Sequence, residues 1–311
     1  MSEVPMGSRD DVLAGGGTGG TTSSPVAFPI PAEELGAVSI VPNGSFEAGS
    51  YQTFVLTYVA GKFGIDDSGS MRVCFRFASD QTRPQFEDPK GPNYTTIEAS
   101  NNAVLTYHYD PKGNVRPWDR TLYIKVVRGF LREGDKITIT FGDRSGGSPG
   151  MRLQTFCEDS YEFHTLIDPI ATYCYQPMPV QPVIKIIPGK PDRYLAVAPT
   201  IRAIDESFSI KFKGEDKWGN PSDQCDIELY PRASHPVKNL PDMISLKPGE
   251  FFGVIDGLSV ADAADLHIDF LDDAGALMCR TNPIRIESAP LSRHFWGDLH
   301  GQSEETIGTG S

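Results

Sequence analysis

The sequence contains no apolar run approaching the roughly 18 residues that a membrane-spanning helix needs, so no membrane passage is expected. Basic charge is also short: 28 Lys and Arg face 41 Asp and Glu across 311 residues, a net charge of −13. That balance repels a phosphate backbone or an anionic lipid surface, so nucleic acid and membrane are excluded as expected partners. Cysteine is scarce and scattered. Cys74, Cys157, Cys174, Cys225 and Cys279 are odd in number and none belongs to a Cys-x-x-Cys pair, which excludes a zinc ribbon and a dithiol redox motif. They read as small buried hydrophobes in a reducing compartment. The stretch Met1–Pro31 lacks the basic start and apolar core of a signal peptide, with Asp10 and Asp11 where that core would begin. The expected location is cytoplasmic.

Several catalytic signatures are missing too. No Gly-x-Ser-x-Gly elbow is present, so no Ser-His-Asp arrangement is nominated. The loop Gly142–Gly150 is rich in glycine but lacks the Gly-Lys-Ser/Thr ending and following helix of a phosphate-binding loop. It reads as a connection between strands. Asp66-Asp67-Ser68-Gly69 does not meet the EF-hand spacing and reads as a β-turn with solvated carboxylates. His108, His164, His235 and His267 are isolated in sequence and receive no role.

Short alternating runs, by contrast, are abundant. Apolar residues make up 39% of the chain, enough for a sizeable core, and 31 glycines with 25 prolines signal many turns. In MRVCFRFA, Val73, Phe75 and Phe77 share one face; in KITITF, Ile137, Ile139 and Phe141 do the same. Period two in β-rich residues means strands with one buried face. YQTFVLTYV, LYIKVV, MRLQTF and YEFHTLI are further candidates, and no helical period stands out between Ser50 and Tyr175.

The proline-rich QPMPVQP, from Gln176 to Pro182, suits a stiff linker. A second strand series follows (VIKII, RYLAVA, SFSIKF, DIELY, EFFGVI, DLHIDFL, IRIE), with Phe208, Ile210 and Phe212 facing inward. Gly219-Asn220-Pro221 is a strong chain-reversal signal. The expected fold is all-β: a flexible Gly/Ser/Thr-rich leader and linker over 1–44, a first β-sandwich over 45–180, an immunoglobulin-like β-sandwich over 181–289, and a new element over 290–311. That last segment opens with His294-Phe295-Trp296, as a strand would, and then runs into a polar, Gly-rich tail. Nothing follows to pair with or cover such a strand, so truncation is expected.

Extended backbone at Gly297–Gln302 would project Asp298, His300 and Gln302 from one face. A carboxylate beside an imidazole at a strand end suits a divalent metal, although the same pair also fits an exposed tail. FWGDLHGQSEETIGTGS resembles the opening motif of a bacterial domain-of-unknown-function family similar to the PHP (polymerase and histidinol phosphatase) metallohydrolases. AGKFGIDDSGSMRV, FRFASDQTRPQFEDP, YDPKGNVRPW, GFLREGDKITITFGDRSGGSPG and GEDKWGNP extend the resemblance over most of residues 45–311.

The resemblance implies two accessory β-domains followed by a PHP-like α/β barrel, of which the chain keeps the first strand. It implies a divalent-metal cofactor, a small-molecule substrate and phosphoesterase-type hydrolysis. His300 matches the first histidine of the family's His-x-His pair, Gln302 stands in place of the second, and Asp298 would orient His300 or bind metal beside it. Glu304 and Glu305 are further candidates within reach. A barrel of this type needs on the order of 200 residues, so the 311-residue chain by itself is expected to be inactive. The sandwiches would orient substrate, shield the barrel mouth or mediate homo-oligomerisation. The competing reading is a non-enzymatic binding or scaffolding protein. A carbohydrate-binding version would use Tyr94, Tyr107, Tyr109, Trp118 and Trp218 as a stacking platform, although in β-domains such residues also serve as core and cross-strand pairs.

Overall fold

Alternation of apolar and polar residues builds almost everything in the chain. The computed structural model describes residues 30–292, 294 and 295, and among them the one helical element is a single 3-10 turn at Ala32–Glu34. No helix among the described residues is long and apolar enough to cross a membrane. The protein is all-β, with two hydrophobic cores.

The first sandwich opposes two antiparallel sheets. One is ordered Gly36–Val41, Phe54–Ala60, Lys136–Phe141, Thr95–Ala99. The other is ordered Gln176–Pro177, His164–Asp168, Ser70–Phe75, Arg120–Arg128, Val104–Asp110. Phe54, Leu56 and Tyr58 alternate inward beside Ile137, Ile139 and Phe141, and meet Met71, Val73 and Phe75 from the facing sheet. Phe163 sits among Phe54, Phe75 and Phe141 with ring centroids 5.6–5.7 Å apart, a spacing at which tilted and edge-on rings attract. YEFHTLI is therefore two strands, Glu158–Glu162 and His164–Asp168, parted where Phe163 turns into the core. Phe77 lies beyond the end of its strand at Phe75 and is half-buried.

The borders differ from the sequence-based limits. Strand Gly36–Val41 falls inside the stretch read as leader, and Leu35 and Ile40 are core residues. Val183–Ile187, read as the opening strand of the second sandwich, pairs with Glu158–Glu162 and runs parallel to Ser45–Glu47, burying Ile184 and Ile186 in the first core. The proline-rich stretch, read as a stiff linker, is instead part of the first sandwich. Gln176 pairs with Ile167, Met178 is buried, and the Gln181 side chain bonds the backbone of Thr165. The chain passes between the cores at Pro188–Asp192.

The second sandwich has a sheet ordered Arg193–Val197, Phe208–Glu215, Gly253–Leu258, a sheet ordered Ile244–Leu246, Ile227–Ala233, Ile268–Leu271, Leu277–Arg280, and a small sheet ordered Ile201–Ala203, Ile284–Glu287, Ala264–Leu266. Phe208, Ile210 and Phe212 point inward, as their alternation requires. His294 and Phe295 are exposed and irregular, so the expected strand does not begin there; the rest of that strand, with Asp298, His300, Gln302, Glu304 and Glu305, lies outside the described residues.

Candidate binding cleft between the sandwiches

The turn after strand Phe208–Glu215 locks the two sandwiches together. Asp216, 2% exposed, accepts hydrogen bonds from the backbone N–H groups of Trp218 (2.9 Å), Asn220 (2.9 Å) and Gly189 (3.1 Å) and from the Asn220 side chain (2.9 Å). Burial works to raise its pKa, and these donors together outweigh burial, holding the carboxyl below the usual aspartate value. Asn220 reaches the first sandwich: its Nδ2 donates to the Thr155 carbonyl (2.9 Å) and its Oδ1 accepts from the Cys157 N–H (3.2 Å). Trp218 Nε1 donates to the Ala48 carbonyl (3.0 Å), while its ring lies over Gly49, where a Cβ would come within 2.6 Å of it. Gly49 also has φ +67°, a conformation in which glycine alone is at ease.

Beside this latch a cleft of about 770 Å³ opens between the sandwiches. Its wall on the second sandwich follows from sheet geometry. With Ala196, Ile210 and Phe212 inward, Leu195, Val197, Lys211 and Lys213 face outward, in register as Leu195–Lys213 and Val197–Lys211. Phe251 and Phe252 continue the apolar wall, and Ile187 and Pro188 line the cleft from the first sandwich. Val197 and Phe252 are 61% and 60% exposed. Of the three lysines, Lys185 is paired with Asp159 (2.7 Å) and Lys213 with Glu215 (2.8 Å), while Lys211 has no ion pair among the described residues. Cys157 also lines the cleft. Its thiol is pushed up to about 11, first by partial desolvation and then by the carboxylates of Asp216, Asp223 and Asp159, so at neutral pH it is a poor nucleophile.

The remaining sequence candidates are held elsewhere. Trp118 stacks on His164 at 4.8 Å, and His164 bonds Glu162 at 2.6 Å. Tyr107 pairs with Phe86, Tyr107 and Tyr109 pack against the first core, and Tyr94 is half-buried. Trp218 belongs to the latch, so these aromatics form no common platform. The loop at Asp143 and Arg144 is tied internally, Asp143 accepting from Thr96 and Ser145, Arg144 donating to the Tyr51 carbonyl. His235 lies 3.3 Å from Asp262 and His267 4.0 Å from Asp269, while His108 rests against Tyr123. Among the described residues no three His, Cys, Asp or Glu side chains converge as metal ligands would.

Sequence reasoning missed the cleft-lining residues. The signal was present in RYLAVA, where Tyr194 to Ala198 are apolar on both faces of a strand that needs one, and in the adjacent pair Phe251-Phe252.

No family model matches this chain, and no curated protein matches it. Among solved structures it is similar to the Yersinia pseudotuberculosis adhesin InvE, at 8% identity and TM-score 0.24 over 81% of this chain and 58% of that one. It is also similar to red sea bream transglutaminase, at 11% identity and TM-score 0.21 over 81% of this chain and 31% of that one. The chain spans less than two thirds of either protein.

Proposed function

We propose that this chain is a non-catalytic binding and scaffolding protein whose interdomain cleft docks an extended, apolar segment of a partner protein bearing an acidic side chain. One observation carries the reading: an open cleft of about 770 Å³ with an apolar wall of Leu195, Val197, Phe251 and Phe252 next to Lys211, which has no ion pair among the described residues. Monomers rarely leave a contiguous apolar patch in water, and covering each such side chain is favourable by roughly 1.5–3 kcal/mol. Lys211 supplies a cation for the acidic side chain in a cleft whose Glu158 and Asp159 are paired with Arg76 and Lys185, Asp223 being the carboxylate it must outweigh. The latch makes the cleft pre-formed, which lowers the ordering cost of binding.

The test is selection of a displayed library of random twelve-residue peptides on the full chain. The expected result is enrichment of sequences with large apolar residues flanking Glu or Asp. The Val197→Asp/Phe252→Asp variant is expected to lose enrichment, and Lys211→Glu to lose the acidic preference. Equal enrichment on wild type and on Val197→Asp/Phe252→Asp would overturn the proposal.

The GDLHGQ motif favours a second reading, an accessory region of a PHP-like metal-dependent hydrolase. Its candidate ligands, His300 and Asp298, do not complete a metal site by themselves, and Gln302 offers a neutral amide where the resemblance implies an imidazole. No hydrolytic step is derived from this set. A divalent-metal titration that raises the melting temperature of the wild type but not of His300→Ala would support it.

A further inference from the structure

The outer face of the five-stranded sheet in the first sandwich carries a second cavity, away from the cleft. Strand Ser70–Phe75 sends Met71, Val73 and Phe75 into the core, so Ser70, Arg72 and Cys74 take the other face. Register then aligns Arg72 with Tyr123 and Tyr123 with His108, a row across three strands.

Residues 169–175 cross this face, held by Asp168. That carboxylate, 1% exposed, accepts from the Thr172 N–H and hydroxyl (both 2.9 Å) and from the Tyr173 N–H (2.6 Å). Ala171 and Tyr173 take φ +55° and +62°, a left-handed conformation that is unfavourable for a side-chain-bearing residue. Two such residues within three positions bring the Tyr175 side chain over the sheet and leave the exposed Tyr173 at its margin. Tyr175 places its ring 3.7 Å from the Arg72 guanidinium and bonds Ser70 through its hydroxyl at 2.6 Å.

These elements line an open cavity of about 220 Å³, bordered by Arg72, His108, Asp110, Tyr123, Tyr175 and the exposed Tyr173. It has room for about seven waters at liquid density. Arg72 is under-satisfied there. It has no ion pair among the described residues of a chain rich in carboxylates, its one hydrogen bond is a long 3.4 Å contact to Asn114 Oδ1, and its Nε–H is buried with no acceptor. A guanidinium in this state favours a carboxylate at its Nη atoms. Asp110 lines the same cavity and accepts from the Lys112 N–H with Oδ1, leaving Oδ2 for a second donor.

We infer that this cavity binds a free amino acid with an aromatic or apolar side chain, its carboxylate on Arg72, its ammonium toward Asp110 and its side chain between the tyrosine rings. The pairing of one cation and one anion across a cavity walled by rings selects a small zwitterion over a simple anion, which Asp110 would repel.

Calorimetric titration of the full chain tests this with L-phenylalanine, phenylacetate, phenethylamine, glycine, acetate and inorganic phosphate. Phenylalanine is expected to bind, with at least a tenfold loss for phenylacetate and for phenethylamine. Arg72→Met is expected to abolish binding. Arg72→Lys, which keeps the charge, is expected to weaken it at least tenfold, and Asp110→Asn to level phenylalanine with phenylacetate. Val197→Asp/Phe252→Asp is expected to leave it unchanged, separating this site from the cleft. Phosphate or acetate binding better than phenylalanine, unchanged binding in a folded Arg72→Met, or no heat with any amino acid at 10 mM would overturn the inference.

Discussion

At the scale of single residues, charge placement decides reactivity. Cys157 is an exposed thiol, yet packing against the latch and three neighbouring aspartates disfavour its thiolate. A thiol moved from 9.0 to about 11 has roughly a hundredfold less thiolate at pH 7, because each pH unit is a factor of ten. In a Cys174→Ser background, iodoacetamide is expected to label Cys157 at pH 7 about a hundredfold more slowly than free cysteine. The rate is expected to climb tenfold per unit toward pH 11, and Asp223→Asn to accelerate it. Labelling as fast as free cysteine would show that the carboxylates do not act on the sulfur. Cys74 and Cys279 are likewise pushed up to about 11, mainly by burial, so both are packing residues at neutral pH.

Elements of the chain meet where side chains leave room. Gly49, just after strand Ser45–Glu47, gives the Trp218 ring a flat place to lie, and a methyl group there would stand within 2.6 Å of the indole. Gly49→Ala is expected to expel the indole, break its bond to the Ala48 carbonyl and red-shift tryptophan emission, with the far-ultraviolet circular dichroism retained. The strand pair around Phe163 obeys the same packing rule from inside. There the interruption of an alternating run puts a fourth ring into the phenylalanine cluster, and Phe163→Ala is expected to cost about 3–5 kcal/mol in denaturant unfolding of the first sandwich.

Across the whole molecule, the latch joins two cores that have separate residues and separate sheets. Asn220, bonded at once to Thr155, Cys157 and Asp216, carries that coupling. Asn220→Ala is expected to split a single calorimetric unfolding transition into two. Acid should act in the same direction. The depressed pKa of Asp216 contributes stability that is complete above its unfolded value near 3.8 and is lost as pH falls through the lower folded value. The wild type is therefore expected to unfold in one transition at pH 6 and to approach the two-step behaviour of Asn220→Ala below about pH 3.8. One unsplit transition for Asn220→Ala would show that the sandwiches are coupled elsewhere.

The residue order alone determined the all-β class, because a period of two in KITITF or SFSIKF leaves no other way to bury one face. It also marked the chain reversal at Gly219-Asn220-Pro221. Tertiary structure decided what that reversal does, since its partners Ala48, Gly49, Thr155 and Cys157 stand more than 60 residues away in the chain. Likewise VIKII reads as a strand in isolation, but its place in the first core depends on its pairing with Glu158–Glu162 and Ser45–Glu47. The second apolar face of RYLAVA and the juxtaposition of Arg72 with Tyr175 have the same origin. A local pattern reports that a face is apolar or that a charge is present; what lies against that face or charge is set by long-range packing, to which the local period is blind.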